Sequence, residues 1–362
     1  MVLTPIIYIT STYTIDYIWS LAFIMMSYYY ILWNKNSVAG ILLGLAIGCR
    51  ITAGAMIIPF LFTILVSSSK NNLRHSIVFA FMCVVTALIT FLPVIIFYGI
   101  DFINYYELPY PPVFKALYKG TIGVWGAFAS IIFVLILFLF LLKQKLRPYK
   151  KSYTKSVNHL LFSWILAIIL YVIAYIKYPE KSAFLIPVIP FIILLFGYLL
   201  KPGYFKILAY CLIISSFFIS IDLTDRYRGA GFSDLAVKFN ISGQEIFIDV
   251  LNGPIFSDKS KRINKQNFTN NIVDAYYGIT KKTVIICGWW YNQLKVNLMD
   301  KQKNNYVRLV SYADENQLKE FIRDGYKIKH LPEQDISNDS KFFSDYTSYY
   351  SSPLLIEMTK VN

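Results

Sequence analysis

Acidic side chains are almost missing from the first 221 positions, where only Asp16, Asp101, Glu107 and Glu180 occur. Cysteine and histidine are scarce throughout. The four cysteines, Cys49, Cys83, Cys211 and Cys287, stand singly, three in apolar runs and one in an expected strand, with no pair at metal-ligand or disulfide-type spacing. That excludes a zinc module and a disulfide framework. His75, His159 and His330 are equally scattered and are expected at the surface. No G-x-G-x-x-G and no phosphate-binding loop occurs, so no nucleotide is assigned. Internal repeats and low-complexity tracts are also lacking. Met1–Thr10 is apolar but has no charged leading region and no small-residue cleavage site, which makes it the expected tail of a truncated span, not a signal peptide.

What the chain has instead is apolar mass. Of 362 residues, 56% are hydrophobic and 17% aromatic, with a mean hydropathy of +0.49, more than a soluble domain usually carries. A lipid bilayer is therefore the first expected partner. The net charge of +14 does not indicate nucleic acid, because the excess lies in the apolar part; beyond residue 222 acids and bases are nearly balanced.

A bilayer core takes about 20 apolar residues in a helix. Candidate spans are Tyr17–Trp33, Val38–Val66, Ser76–Tyr98, Thr121–Leu142, Leu160–Tyr178, Ala183–Leu200 and Ile207–Ile221. The second is long and is interrupted at Gly48, Cys49, Arg50 and Thr52, so it reads either as one tilted helix or as a hairpin of two short ones. Loop charge favours the hairpin, since basic residues collect on the cytoplasmic side. A turn at Arg50 puts Lys35, Lys70, Arg74, Lys201, Lys206 and the run KQKLRPYKKSYTK on that side. Arg50, Lys115, Lys119, Lys177, Lys181 and all four acids fall on the other. The expected architecture is an α-helical polytopic membrane domain over residues 1–222, with about eight transmembrane helices, two of them short. Eight crossings place both ends outside the cytoplasm, from which an odd number of preceding helices is expected.

At Asp222 the composition turns polar, and residues 223–362 are expected to form a small extracytoplasmic α/β domain. GQEIFIDV, TVIICGWW, NYVRLVSYA, YKIKHL and PLLIEM read as strands. Between two of them, DENQLKEFIRDG has Asp314 at the N-cap, Gln317 at N3 and Gly325 just past the end, a helix signature. Strand, helix and strand in that order imply parallel pairing.

Charged residues in or beside a bilayer are functional candidates. Arg50, at the outer turn, either holds a phosphate with its planar fork or snorkels to headgroups. Asp16, in STYTIDYIWS, either orients a hydroxyl or helps hold a divalent metal, or simply complements the start of a helix. The segment DFINYYELPYPPVFKALYKGTIGVW carries Asp101, Glu107, Lys115 and Lys119 among tyrosines and prolines. It suits either substrate contact or plain interfacial anchoring. In KYPEKSAFLIPVIPFIILL, Glu180 and Lys181 precede a helix with Pro187 and Pro190, whose freed carbonyls could line a cavity; Lys181 is either a contact for a lipid-linked phosphate or a rim lysine. Trp289 and Trp290 either stack on a sugar or pack in a core.

The run from Thr14 to Phe60 resembles the middle of the polytopic GT-C-type glycosyltransferases that use polyprenyl-phosphate sugars, in which an acidic residue precedes a helix, a short basic loop follows, and a G-x-x-x-G-x-A-type hairpin ends in Arg or Lys. PEKSAFLIPVIPF is similar to that family's K-x-x-x-Y-x-x-P-x-x-P segment, with Phe184 near the place of the tyrosine. The resemblance implies a membrane glycosyltransferase that moves a sugar from a polyprenyl-phosphate donor to a lipid, glycan or protein acceptor on the outer face, in a bacterial cytoplasmic membrane. It implies that Asp16, Arg50 and Lys181 lie near the donor-binding cavity. With the external loop added, donor phosphate binding is expected of Arg50, Lys181, Lys115 and Lys119 and substrate binding of Glu107 and Asp101; the catalytic residue is left unassigned, with Asp16 as a candidate. The family's first external loop, with its catalytic carboxylate, has no counterpart here, and a front part is expected to be missing. The alternatives are a flippase or carrier for lipid-linked glycans and a non-enzymatic partner subunit.

Overall fold

The computed structural model describes residues 4–11, 16–67, 71–99, 110–143, 155–179, 181–223, 236–241, 244–299, 301–331, 346–352 and 354–360. It divides into two compact units: Met1–Thr224 with Phe232–Asp258, and Asp225–Gly231 with Lys259–Asn362. Most of the chain is helical.

In the first unit α1 spans Pro5–Ser11, α2 Tyr17–Leu32, α3 Asn36–Cys49, α4 Ile57–Val66, α5 Asn72–Tyr98, α6 Val113–Gly120, α7 Ile122–Trp125, α8 Ala127–Lys143, α9 Lys155–Lys177, α10 Ile189–Leu199 and α11 Pro202–Phe217. Short 3-10 turns, Ile51–Met56 and Ser182–Val188, lead into α4 and α10. Among the described residues, three helical segments, Asn72–Phe97, Asn158–Lys177 and Ser182–Leu199, are long and apolar enough to cross a bilayer, and Val113–Trp125 with Ala127–Ile136 makes a fourth if that pair, bent by 99°, counts as one. These point to a membrane protein. Tyr17–Leu32, Asn36–Cys49, Ile51–Val66 and Pro202–Phe217 are apolar but shorter.

The packing fixes the direction of the helices. Ser20 Oγ donates to the Ala46 carbonyl at 3.2 Å and Ser27 Oγ to that of Ala39 at 2.7 Å, so α2 and α3 are antiparallel. On the other face of α3, Gly40, Gly44 and Gly48 lie against Phe79, Cys83–Ala87 and Thr90 in the same order, so α3 and α5 run parallel. One glycine per turn removes the side chains that would hold two backbones apart. Helix α4 runs alongside α2 in the same direction, since Phe60 stacks on Tyr28 at 5.7 Å while Val66 and Ser67 lie beside Leu32 and Asn34. The chain therefore reverses at Arg50, whose backbone is extended (φ −150°, ψ 118°). Buried hydrogen bonds pin α9 to this group: Thr63 Oγ1 and Ser163 Oγ are 2.7 Å apart, and Trp164 Nε1 donates to Tyr28 Oη at 2.6 Å.

Three expectations are corrected here. The span expected over Thr121–Leu142 is broken at Gly126, whose positive φ of 80° and close approach to Ser215 admit no side chain. The run expected over Ile207–Ile221 stops being helical at Phe217; the chain turns through Ile219 (φ 57°) into β1 (Ser220–Asp222). That strand pairs antiparallel with β3 (Gln244–Asp249), which pairs antiparallel with β2 (Val237–Ile241). The boundary read at Asp222 thus falls within a sheet belonging to the helical unit, and Gly253, whose missing side chain lets it approach the Phe217 and Phe218 backbone, returns the chain to the end of α11.

Helix α12 (Pro254–Tyr277) begins in the first unit and ends in the second. The second unit holds a sheet of order β5-β4-β6-β8-β7. Here β4 (Thr283–Ile286) is parallel to β5 (Val307–Val310) and β6 (Lys327–His330), while β8 (Leu355–Lys360) is antiparallel to β6 and to β7 (Tyr346–Ser352). Helix α14 (Glu315–Arg323) has the full capping box of Asp314 and Gln317, and Gly325 follows at φ 79°. Apolar side chains of β4 and of Cys287 just after it alternate between two cores, Ile285 and Cys287 with Ile272 and Leu294 of α12 and α13 (Tyr291–Asn297), and Val284 and Ile286 with Leu318 and Phe321 of α14. His330 is not at the surface as expected: it is buried, its Nδ1 lying 3.0 Å from the Leu331 carbonyl oxygen. Trp290 is core, packed at 4.9 Å on Phe268.

Candidate functional site

The antiparallel pairing of α2 and α3 brings the residue before the first helix to the residue after the second. Asp16 sits at the N-cap position of α2 without capping it. Both its oxygens face Arg50 Nη1, at 3.3 and 3.2 Å. The guanidinium carbon lies 3.5 Å from the centre of the Tyr17 ring and 5.5 Å from that of Phe184, a cation held over an aromatic face. Only 17% of the Arg50 side chain is exposed, against 42% for Asp16, so the cation is held inside and its carboxylate partner faces outward. Among the described residues, Arg50 Nε and Nη2 meet no acceptor. One edge of a planar five-donor group is thus left to a ligand or water.

The floor behind Arg50 is rigid. Tyr171 of α9 donates to the Thr52 carbonyl at 2.9 Å, which fixes the 3-10 turn that follows Arg50. One turn along α9, Tyr175 donates to the Ala116 carbonyl of α6 at 2.8 Å. Gly123 of α7 lies against the Ser182 side chain, and the Phe184 N–H donates to the Lys181 carbonyl at 3.1 Å. These links gather Asp16, Arg50 and Lys181, with Lys115 and Lys119 on α6, at one end of the helical unit. Lys181 is exposed, Lys115 and Lys119 partly so. An apolar cavity of about 160 Å³ lies between α8, α10 and α11, lined by Trp125, Phe133, Ile193, Phe196, Phe205 and Leu212 among others.

Asp101, Glu107 and Glu180 lie outside the described residues. Among those described, no group of three or more His, Cys, Asp or Glu side chains could hold a metal ion, and Asp16 faces a guanidinium instead. Tyr17 and Tyr171 were not singled out from the sequence. Tyr17 had a signal, an aromatic next to a membrane-edge acid; Tyr171 looks like any other aromatic in an apolar helix. No family model, no curated protein and no solved structure matches the chain.

Proposed function

We propose that this chain is the donor-binding part of a membrane glycosyltransferase that uses a polyprenyl-phosphate sugar and acts on the outer face of a bacterial cytoplasmic membrane. The carrying observation is the largely sheltered guanidinium of Arg50, fixed by Asp16 and Tyr17 with an edge left over, at the end of the unit that also bears Lys181, Lys115 and Lys119. A planar fork suits two phosphate oxygens, and lysines add charge without fixing geometry. The apolar cavity between α8, α10 and α11 suits a hydrocarbon chain.

In this reading the alternating helices α2, α3, α4, α5, α8, α9, α10 and α11 thread the bilayer eight times. The Arg50 end is outside, and the chain beyond residue 222 lies on the same side. Transfer forms a bond from an acceptor hydroxyl oxygen to the sugar's anomeric carbon as the bond from that carbon to the phosphate oxygen breaks. The electron pair leaves on the phosphate and the hydroxyl proton goes to a base. Arg50 and the lysines stabilise the charge growing on the phosphate; none of the described residues is assigned as the base.

The test is sugar transfer from a polyprenyl-phosphate donor in membranes carrying the gene with Arg50→Ala at unchanged expression. A fall of about a hundredfold is expected for loss of one such stabilising group. Undiminished transfer would overturn the assignment.

A further inference from the structure

The orientation of the Asp16–Arg50 pair bears on which phosphate the site accepts. Both carboxylate oxygens converge on one nitrogen, Nη1, and the guanidinium cannot rotate away because Tyr17 stacks on it at 3.5 Å. An anion arriving at the Nε and Nη2 edge would therefore sit with a fixed negative charge on the far side of one guanidinium, roughly 6 Å away. Resting on the donor-binding reading above, we infer that Asp16 is a specificity-determining residue: it lowers the preference that the cations alone would give a doubly charged phosphomonoester over a singly charged phosphodiester.

The physical reason is a difference in how repulsion scales. The attraction of Arg50, Lys181 and Lys115 for an anion grows with each negative charge the anion carries, so a cationic site alone prefers the monoester. The Asp16 carboxylate repels in the same proportion and, from its greater distance, offsets part of the preference due to Arg50. The geometry cost is small, since Asp16 points outward and is nearly half exposed, while Arg50 keeps its place through Tyr17 and the backbone of the turn.

This matters for a transferase of the proposed type because the two species are its substrate and its product. The lipid-linked sugar is a phosphodiester with one negative charge. Transfer breaks the bond from sugar carbon to phosphate oxygen and leaves a lipid monophosphate, which carries close to two negative charges above its second pKa of about 6. A site made only of cations would hold its product more tightly than its substrate. With Asp16 opposite, that advantage of the product is smaller.

The experiment uses the full chain purified in detergent at pH 8, with two probes: an alkyl phosphate, and the methyl ester of the same alkyl phosphate. Wild type is expected to favour the monoester by a smaller ratio than a variant without the Asp16 charge. In Asp16→Asn the monoester should gain about tenfold relative to the diester, the size expected for a partly screened charge at that distance. Asp16→Ser, read the same way, covers the event that the amide finds a new partner or that the first variant does not fold. An unchanged ratio in a folded Asp16 variant overturns the inference. Arg50→Gln separates it from the reading on which it rests: if that variant binds both probes as wild type does, the Arg50 site itself is wrong, whereas loss of both with an unchanged ratio in Asp16→Asn removes only the role of Asp16.

Discussion

The contact between α3 and α5 places Arg50, and it can be broken by one methyl group. A Cβ on Gly44 would lie 2.7 Å from the Cys83 carbonyl oxygen and 2.6 Å from Thr86 Cβ, with the Ala87 nitrogen at 3.1 Å. Two of these three neighbours are backbone atoms, which cannot rotate aside, so Gly44→Ala must push the helices apart. Overpacking of this kind costs about 1–3 kcal/mol, offset by up to about 1 kcal/mol of better helix propensity. A net loss of about 1–2 kcal/mol is expected, which for a chain of this size lowers the melting temperature by about 1–3 °C. Gly54→Ala is the control, because its nearest neighbour would be Ile47 Cδ1 at 3.9 Å, ordinary contact, and no loss is expected. The assay is the fraction of full chain that stays monodisperse after heating in detergent, read by size-exclusion chromatography. Equal melting of the Gly44 and Gly54 variants would refute the close packing and with it the rigid placement of Arg50.

Other outcomes follow from the same packing. Removing the capping box of α14 with Asp314→Ala should cost about 1 kcal/mol, seen as faster hydrogen exchange at the first amides of that helix and no change in the first unit. Trp164→Phe leaves the buried Tyr28 hydroxyl without its 2.6 Å donor and should cost about 1 kcal/mol in thermal unfolding. Burial lowers the pKa of His330 below its ordinary value, so the unfolded chain binds the proton more readily than the folded one. The sheet around β6 should be unaffected above about pH 6.5 and lose stability as pH falls from there toward the lower folded-state value. Hydrogen exchange of β4 and β6 at pH 7.5 and 5.5 checks this, and His330→Phe should abolish the difference. Burial pushes the Cys287 thiol up to about 12, so alkylation of Cys287 should require unfolding, whereas rapid labelling at neutral pH would contradict its burial.

Local patterns carried much of this into view. The Gly48-Cys49-Arg50 interruption and the loop charges marked the turn at Arg50, and Asp314 with Gln317 marked the start of α14, because capping and turn chemistry are settled within a few residues. Parallel pairing of β4, β5 and β6 followed from strand, helix and strand in sequence. What stayed hidden depends on distant neighbours. Nothing near Asp16 announces that Arg50 will meet it; that requires α2 and α3 to pack antiparallel, with Ser20 and Ser27 of α2 bonded to the Ala46 and Ala39 carbonyls of α3. Helix α12 was missed because its residues lack an apolar stripe, and only the core formed by Ile272, Val273 and Tyr276 reveals its buried side. His330 went to the surface in the sequence reading because polarity was weighed without knowing that β6 lies inside the sheet, between β4 and β8. The break at Gly126 depends on Ser215 of another helix and has no local mark beyond the glycine itself.

The most direct test of the central claim is the affinity of the purified full chain for a polyprenyl-phosphate sugar, with one charge removed at each end of the helical unit. Arg50→Gln should weaken binding by tenfold or more, the loss of a charge-assisted pair of hydrogen bonds. Lys35→Ala, in the turn between α2 and α3 at the opposite end, should leave it unchanged. Equal weakening by both, or by neither, would mean that surface charge in general, and not the site built around Arg50, accounts for whatever binding there is.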